Sequence, residues 1–117
     1  MKKVIYLIFA VTSCNNSIQK KEKANCITLV NEIIKSSNYN NPMFGKNVSY
    51  WVDTFEDTII RVKVCHSEDS NQSATAGWIE IFPKKKKIFD VTIDPQNPII
   101  IDSFSMDLML NLTNCNQ

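Results

Sequence analysis

From Asn25 onward the apolar residues fall at helical spacing. Cys26, Ile27, Leu29, Val30, Ile33 and Ile34 recur three and four residues apart, which gathers them on one side of an α-helix. Asn25 is placed to cap that helix. Ser36-Ser37-Asn38 and then Asn40-Asn41-Pro42 end it, because proline lacks an N–H and disfavours helix in the residue before it. After a loop carrying Met43, Phe44 and Gly45 the period changes to two. Val48 to Asp53 sets Val48, Tyr50 and Val52 against Trp51, and Thr54-Phe55-Glu56-Asp57 is a connection of hairpin length. Thr58 to His66 alternates strictly, with Ile60, Val62 and Val64 on one side and Arg61, Lys63 and Cys65 on the other, as in a half-buried antiparallel strand. Ser67 to Ser73 reads as an exposed polar loop. Ala74 to Phe82 forms a third strand, Trp78, Glu80 and Phe82 opposing Ile79 and Ile81, and Pro83 stops it. Lys84 to Lys87 tops a hairpin, and Ile88 to Ile93 returns with Phe89, Val91 and Ile93 expected to face the core. Asp94-Pro95-Gln96-Asn97-Pro98 makes a rigid turn before the β-like Ile99-Ile100-Ile101. Apolar positions alternate from Ser103 to Leu112, yet no β-branched residue occurs there; leucine and methionine favour helix, so a short C-terminal helix is predicted.

The elements sum to an α+β fold: an N-terminal helix packed on a four-stranded antiparallel meander, with a short closing element at the C-terminus. The helix would cover the sheet face made by Val62, Val64, Val91 and Ile93. The element order resembles the cystatin outline, an architectural likeness that implies no activity.

The first fourteen residues have a different grammar. Lys2 and Lys3 precede an unbroken apolar run from Val4 to Val11, followed by the small residues Thr12 and Ser13 and by Cys14. A charged start, a short apolar core and a small-residue exit describe a secretory signal peptide. The run is too short for a membrane-spanning helix, which needs roughly 20 apolar residues. Val11-Thr12-Ser13-Cys14 resembles the lipobox of bacterial lipoproteins, with Val11 where leucine is commoner. The resemblance implies a diacylglycerol on the Cys14 thiol, cleavage before it, and attachment to the bacterial cell envelope. Asn15 stands where an aspartate would favour inner-membrane retention, and no acidic cluster follows; both lean towards the outer membrane, facing the periplasm. The chain then divides into a signal peptide (1–13), a lipidated polar tether (14–24) and one α+β domain (25–117).

Removing the leader leaves 104 of 117 residues, one domain's worth. Lys2 and Lys3 leave with it, so 11 of the 13 basic side chains face 12 acidic ones. That balance argues against nucleic acid as a partner, which calls for a basic excess. Two glycines in all exclude a glycine-rich phosphate loop. An exported chain sits where disulfides persist. Cys26, Cys65 and Cys115 permit three pairings; Cys26–Cys115 is favoured because it ties the start of the domain to its end, leaving Cys65 as a buried free thiol.

Catalytic chemistry is hard to assemble from these residues. His66 is the only histidine, and Cys65 beside it on a strand should point to the opposite face unless the strand bulges. One histidine and scattered cysteines do not make a zinc site, and Glu68-Asp69-Ser70-Asn71 lacks the spacing of a calcium loop. No catalytic residue, metal or cofactor is therefore expected. The Lys84–Lys87 run reads first as a solvated, blunted hairpin tip, with phosphate-rich headgroups or an acidic partner as the alternative. The sheet side opposite Ile60, Val62 and Val64 carries Trp51, Arg61, Lys63 and Trp78, and tryptophan and arginine dominate binding interfaces. Either this side meets a protein partner, as in an inhibitor or immunity factor, or the loop at Tyr39 to Phe44 or the C-terminal segment folds over it as a second small core. An accessory subunit of an envelope complex, and a carrier or enzyme with a site drawn from distant residues, are the other roles the pattern allows.

Overall fold

The computed structural model describes residues 24–69 and 72–115. The predicted leader, Cys14 and the tether up to residue 23 lie outside the described residues. Helix α1 (Ala24–Ser36) buries Ile27, Val30, Ile33 and Ile34 and turns Glu32 and Lys35 outward, following the three- and four-residue spacing. Asn25 lies inside the helix and so does not cap it. At the other end the Ser36 and Ser37 hydroxyls donate to the carbonyls of Ile33 and Ile34 at 2.7 and 2.6 Å, which satisfies acceptors that the last turn leaves without an N–H.

Five strands follow, not four: β1 (Ser49–Phe55), β2 (Ile60–Asp69), β3 (Gln72–Phe82), β4 (Lys87–Asp90) and β5 (Ile99–Ile101), all antiparallel and paired in sequence order. The additional strand is Ile99-Ile100-Ile101, whose edge position on β4 the unbroken apolar run could not reveal. Ser67 to Ser73 is mostly ladder rather than loop, since β2 continues to Asp69 and β3 resumes at Gln72. β1 extends through Phe55, so the first connection is Glu56–Ile59, closed by the Glu56 N–H on the Ile59 carbonyl at 3.0 Å.

The expected inward set of the fourth strand needs correction. β4 ends at Asp90, and within it Ile88 points to the core, in register with Ile81 and Ile101. Phe89 lies on the other face. Val91 is buried outside the main core cluster, and Ile93 is 70 % exposed. Alternation carries no meaning once the chain has left the ladder.

Helix α2 (Met106–Thr113) confirms the C-terminal helix. Ser105 caps it, its Oγ accepting from the Leu108 N–H at 3.3 Å. Met109 and Leu112 complete a core with the α1 side chains and with Tyr50, Val52, Val62, Val64, Ile79 and Ile81. The helices run antiparallel. The Ser105 N–H donates to Ser36 Oγ at one end, and a Cys26–Cys115 disulfide with Cα atoms 5.6 Å apart joins them at the other. Both helices therefore cover one face of the sheet.

Candidate binding face

The opposite face is built by strand register. Trp51, Lys63 and Trp78 are direct cross-strand neighbours on β1, β2 and β3. The next row runs Arg61, Glu80, Phe89 and Ile100 across β2 to β5. The four residues singled out in the sequence, Trp51, Arg61, Lys63 and Trp78, thus share one side, with no described helix on it. Lys63 departs from the expected open position. It is 6 % exposed, its ammonium 5.8 Å from the Trp78 ring centroid, where a cation meets the negative face of an indole. The Arg61 Nε donates to Glu80 Oε2 at 3.2 Å. Half-exposed, that pair organises the surface more than it stabilises the fold. Phe82 and Phe89 meet edge to face at 5.7 Å and lead to Ile100, which is 61 % exposed.

A groove of about 300 Å³ crosses this face, lined by Asp53, Arg61, Trp78, Glu80, Val91 and Pro95. Its wall is held stiffly. The Trp78 N–H donates to Thr92 Oγ1 at 3.0 Å, and the Trp78 carbonyl accepts from the Val91 N–H at 3.0 Å. The Thr92 N–H in turn donates to Asp90 Oδ1 at 2.9 Å. Gly77 makes this close approach feasible, because a Cβ there would run into Thr92 Oγ1. The turn that presents Pro95 is ordered by Asp94. The Asn97 side chain and then the Gln96 N–H donate to its carboxylate at 2.9 and 3.0 Å, and they hold its pKa below the ordinary value.

Sequence reasoning found the aromatic and cationic members of the face but not Asp53, Glu80, Val91 or Pro95. Alternation assigns residues to faces. It does not set one strand against the next, and only register places Glu80 opposite Arg61. The second core weighed against an open face is absent from this side in one respect: Tyr39 joins the main core beneath the helices. The loop after it, closed by reciprocal Asn41–Gly45 backbone bonds, stacks Phe44 on His66 with ring centroids 3.7 Å apart.

Two cysteine expectations separate here. The Cys26–Cys115 bridge is present. Cys65 is buried but is not a free thiol; it is disulfide-bonded, and no described cysteine is free. Although β2 does bulge between Val64 and Cys65, a sulfur in a disulfide is no nucleophile. No group of three histidine, cysteine or acidic side chains is placed to hold a metal among the described residues, and no helix among them is long and apolar enough to cross a membrane. No protein-family model, curated protein or solved structure matches the chain. The cystatin-like outline accordingly rests on element order alone.

Proposed function

We propose that the chain is a small lipid-anchored protein of the bacterial envelope whose domain binds another protein through the sheet face opposite its helices, in the manner of an inhibitor or immunity factor. The observation that carries this reading is the Trp51–Lys63–Trp78 row beside the Arg61–Glu80 pair. Large aromatics set among charges, on a face the core does not use, are the composition of an interaction hot spot. The reading assigns the face no catalytic role.

Affinity purification from crosslinked cells tests the binding half. The wild-type protein should bring down one hydrolase or toxin. Trp51→Ala should reduce that recovery at least roughly tenfold while moving Tm by less than about 4 °C, the shift that 1 kcal/mol produces in a domain of this size. A much larger drop in Tm would place Trp51 in a core and remove it from the binding face. Recovery of a multi-subunit membrane complex would favour the accessory-subunit role instead.

Fractionation tests the anchor: Cys14→Ser should release the protein from membranes. With Cys26 joined to Cys115, the disulfide at Cys65 leaves Cys14 as the remaining cysteine of the chain. One sulfur cannot carry both a thioether and a disulfide, so the lipid reading requires that Cys65 be unjoined to Cys14 in the mature protein. A Cys14–Cys65 peptide in a non-reduced digest would overturn the lipid anchor and leave an ordinary exported protein.

A further inference from the structure

Four consecutive lysines cap the β3–β4 hairpin, Lys84 to Lys86 in the connection and Lys87 as the first residue of β4, and all four are exposed. They are held on a tight scaffold. Pro83–Lys85 forms one 3-10 turn, and Lys86 takes the left-handed conformation at φ 56°, its N–H closing on the Pro83 carbonyl at 3.1 Å. Lys85 Nζ lies 5.9 Å from the Phe82 ring centroid.

This turn is tied to the place where the described chain begins. Thr113 Oγ1 contacts the Pro83 carbonyl at 3.1 Å. Two residues further on, Cys115 is bonded to Cys26 in the first turn of α1. The lysine turn, the end of α2 and the entry of the preceding segment therefore share one pole of the domain. Nine residues separate Cys14 from Ala24, and nine residues span at most about 30–32 Å. If Cys14 carries the anchor, this pole is the part of the domain held nearest the bilayer.

We infer that the lysine turn docks on an anionic phospholipid surface and orients the tethered domain, pole down, with its binding face to the side. The inference rests on the lipid-anchor reading for its geometry and on charge complementarity for its partner. A tether alone limits distance without setting orientation. A lysine close to an anionic leaflet strengthens attachment roughly fivefold. That attraction decays over a Debye length of about 10 Å at 0.1 M salt, so a rigid turn at the tethered pole benefits where a distant patch would not. Glu56 and Asp57 border the same 260 Å³ groove as Lys84 and offset part of this charge, leaving the remaining lysines to make the contact.

Two measurements on the full chain test it. In envelope membranes, acetylation of Lys84–Lys87 should be several-fold slower than after detergent extraction, and raised salt should abolish the difference. Lys35, about 14 Å along α1 from Cys26 at the helical rise per residue, should label equally in both states. Equal labelling of the turn in membranes and detergent would overturn the proposal while leaving the anchor intact.

The second measurement removes the anchor. Cys14→Ser protein should prefer vesicles containing phosphatidylglycerol over neutral phosphatidylcholine vesicles. Combining Lys84→Gln, Lys85→Gln, Lys86→Asn and Lys87→Gln should reduce that preference at least roughly tenfold. Asparagine serves at the left-handed position because it tolerates that conformation. Unchanged preference in the substituted chain refutes lipid docking, and if copurification of an acidic protein is lost instead, the turn belongs to that partner. Soluble wild-type protein in cell fractions would refute the anchor separately, without touching the vesicle result.

Discussion

Asn41 uses every valence of its amide inside the protein. Its Nδ2 donates to Tyr39 Oη at 2.9 Å and to the Ala76 carbonyl at 3.2 Å, and its Oδ1 accepts from the N–H groups of Met43 and Phe44, both at 2.9 Å. The residue is 1 % exposed. Truncation would strand several of these groups without water, so Asn41→Ala should lower unfolding stability by about 2–3 kcal/mol, read from the urea midpoint. Gly77 is the second such position. Gly77→Ala should cost about 1–3 kcal/mol and displace Trp78, because the new methyl and Thr92 Oγ1 cannot both keep their places. An unchanged Trp78 fluorescence spectrum in that variant would show that Thr92 yields instead. Neither role is legible in the sequence. The helix has already ended at Ser36, before Asn40-Asn41-Pro42 is reached, and the Ala76 carbonyl held by Asn41 lies 35 residues away, a partner that no local pattern records.

At the scale of elements, the two antiparallel helices are joined at their two ends by different chemistry. The Ser36, Ser105 and Ser103–Asn38 hydrogen bonds close one end, and the Cys26–Cys115 bridge closes the other across 89 residues of chain. A loop of that length removes much of the freedom of the unfolded state, so Cys26→Ala with Cys115→Ala should lose about 2–5 kcal/mol. A loss below about 1 kcal/mol would mean that the packing of Met109 and Leu112 alone secures α2. The elements themselves were largely readable. Helical spacing located α1, strict alternation located β1 to β3 and their faces, and the absence of β-branched residues from Ser103 to Leu112 separated helix from strand at the C-terminal element. The errors fell where alternation carried no information. Ile99-Ile100-Ile101 is apolar throughout, the strand after the lysine turn stops at Asp90 before its pattern does, and the β2–β3 bulges alter register without altering composition.

Over the whole molecule, the core on one side of the sheet includes two phenols, and their ionisation opposes the fold at alkaline pH. Tyr39 and Tyr50 meet edge to face at 6.1 Å. Burial, the largest influence, raises both pKa values above the ordinary 10.0. For Tyr39 the hydrogen bonds of Asn41 and Thr92 pull back and the charge of Asp90 adds to the rise; for Tyr50 the addition comes from Tyr39. Raised folded-state values mean that the folded protein keeps protons which the unfolded chain releases. The stabilisation is therefore complete below about pH 10 and declines as pH climbs through the folded-state values. Tyr50→Phe removes one of the two groups and should make the alkaline decline in urea midpoint shallower, whatever it does to stability near neutrality. Phenolate absorbance should rise with unfolding rather than before it. An equal slope in Tyr50→Phe would assign the decline to the lysines instead. Asp94 acts in the opposite sense. Its lowered pKa stabilises above the ordinary carboxylate value of 3.8, and that contribution is lost as pH falls through the folded-state value. The Asp94 carboxylate orders the turn bearing Pro95, so acidification should loosen the wall of the groove lined by Trp78 and Pro95 while the tyrosine pair stays protonated and the helix-covered core is unaffected by either phenol.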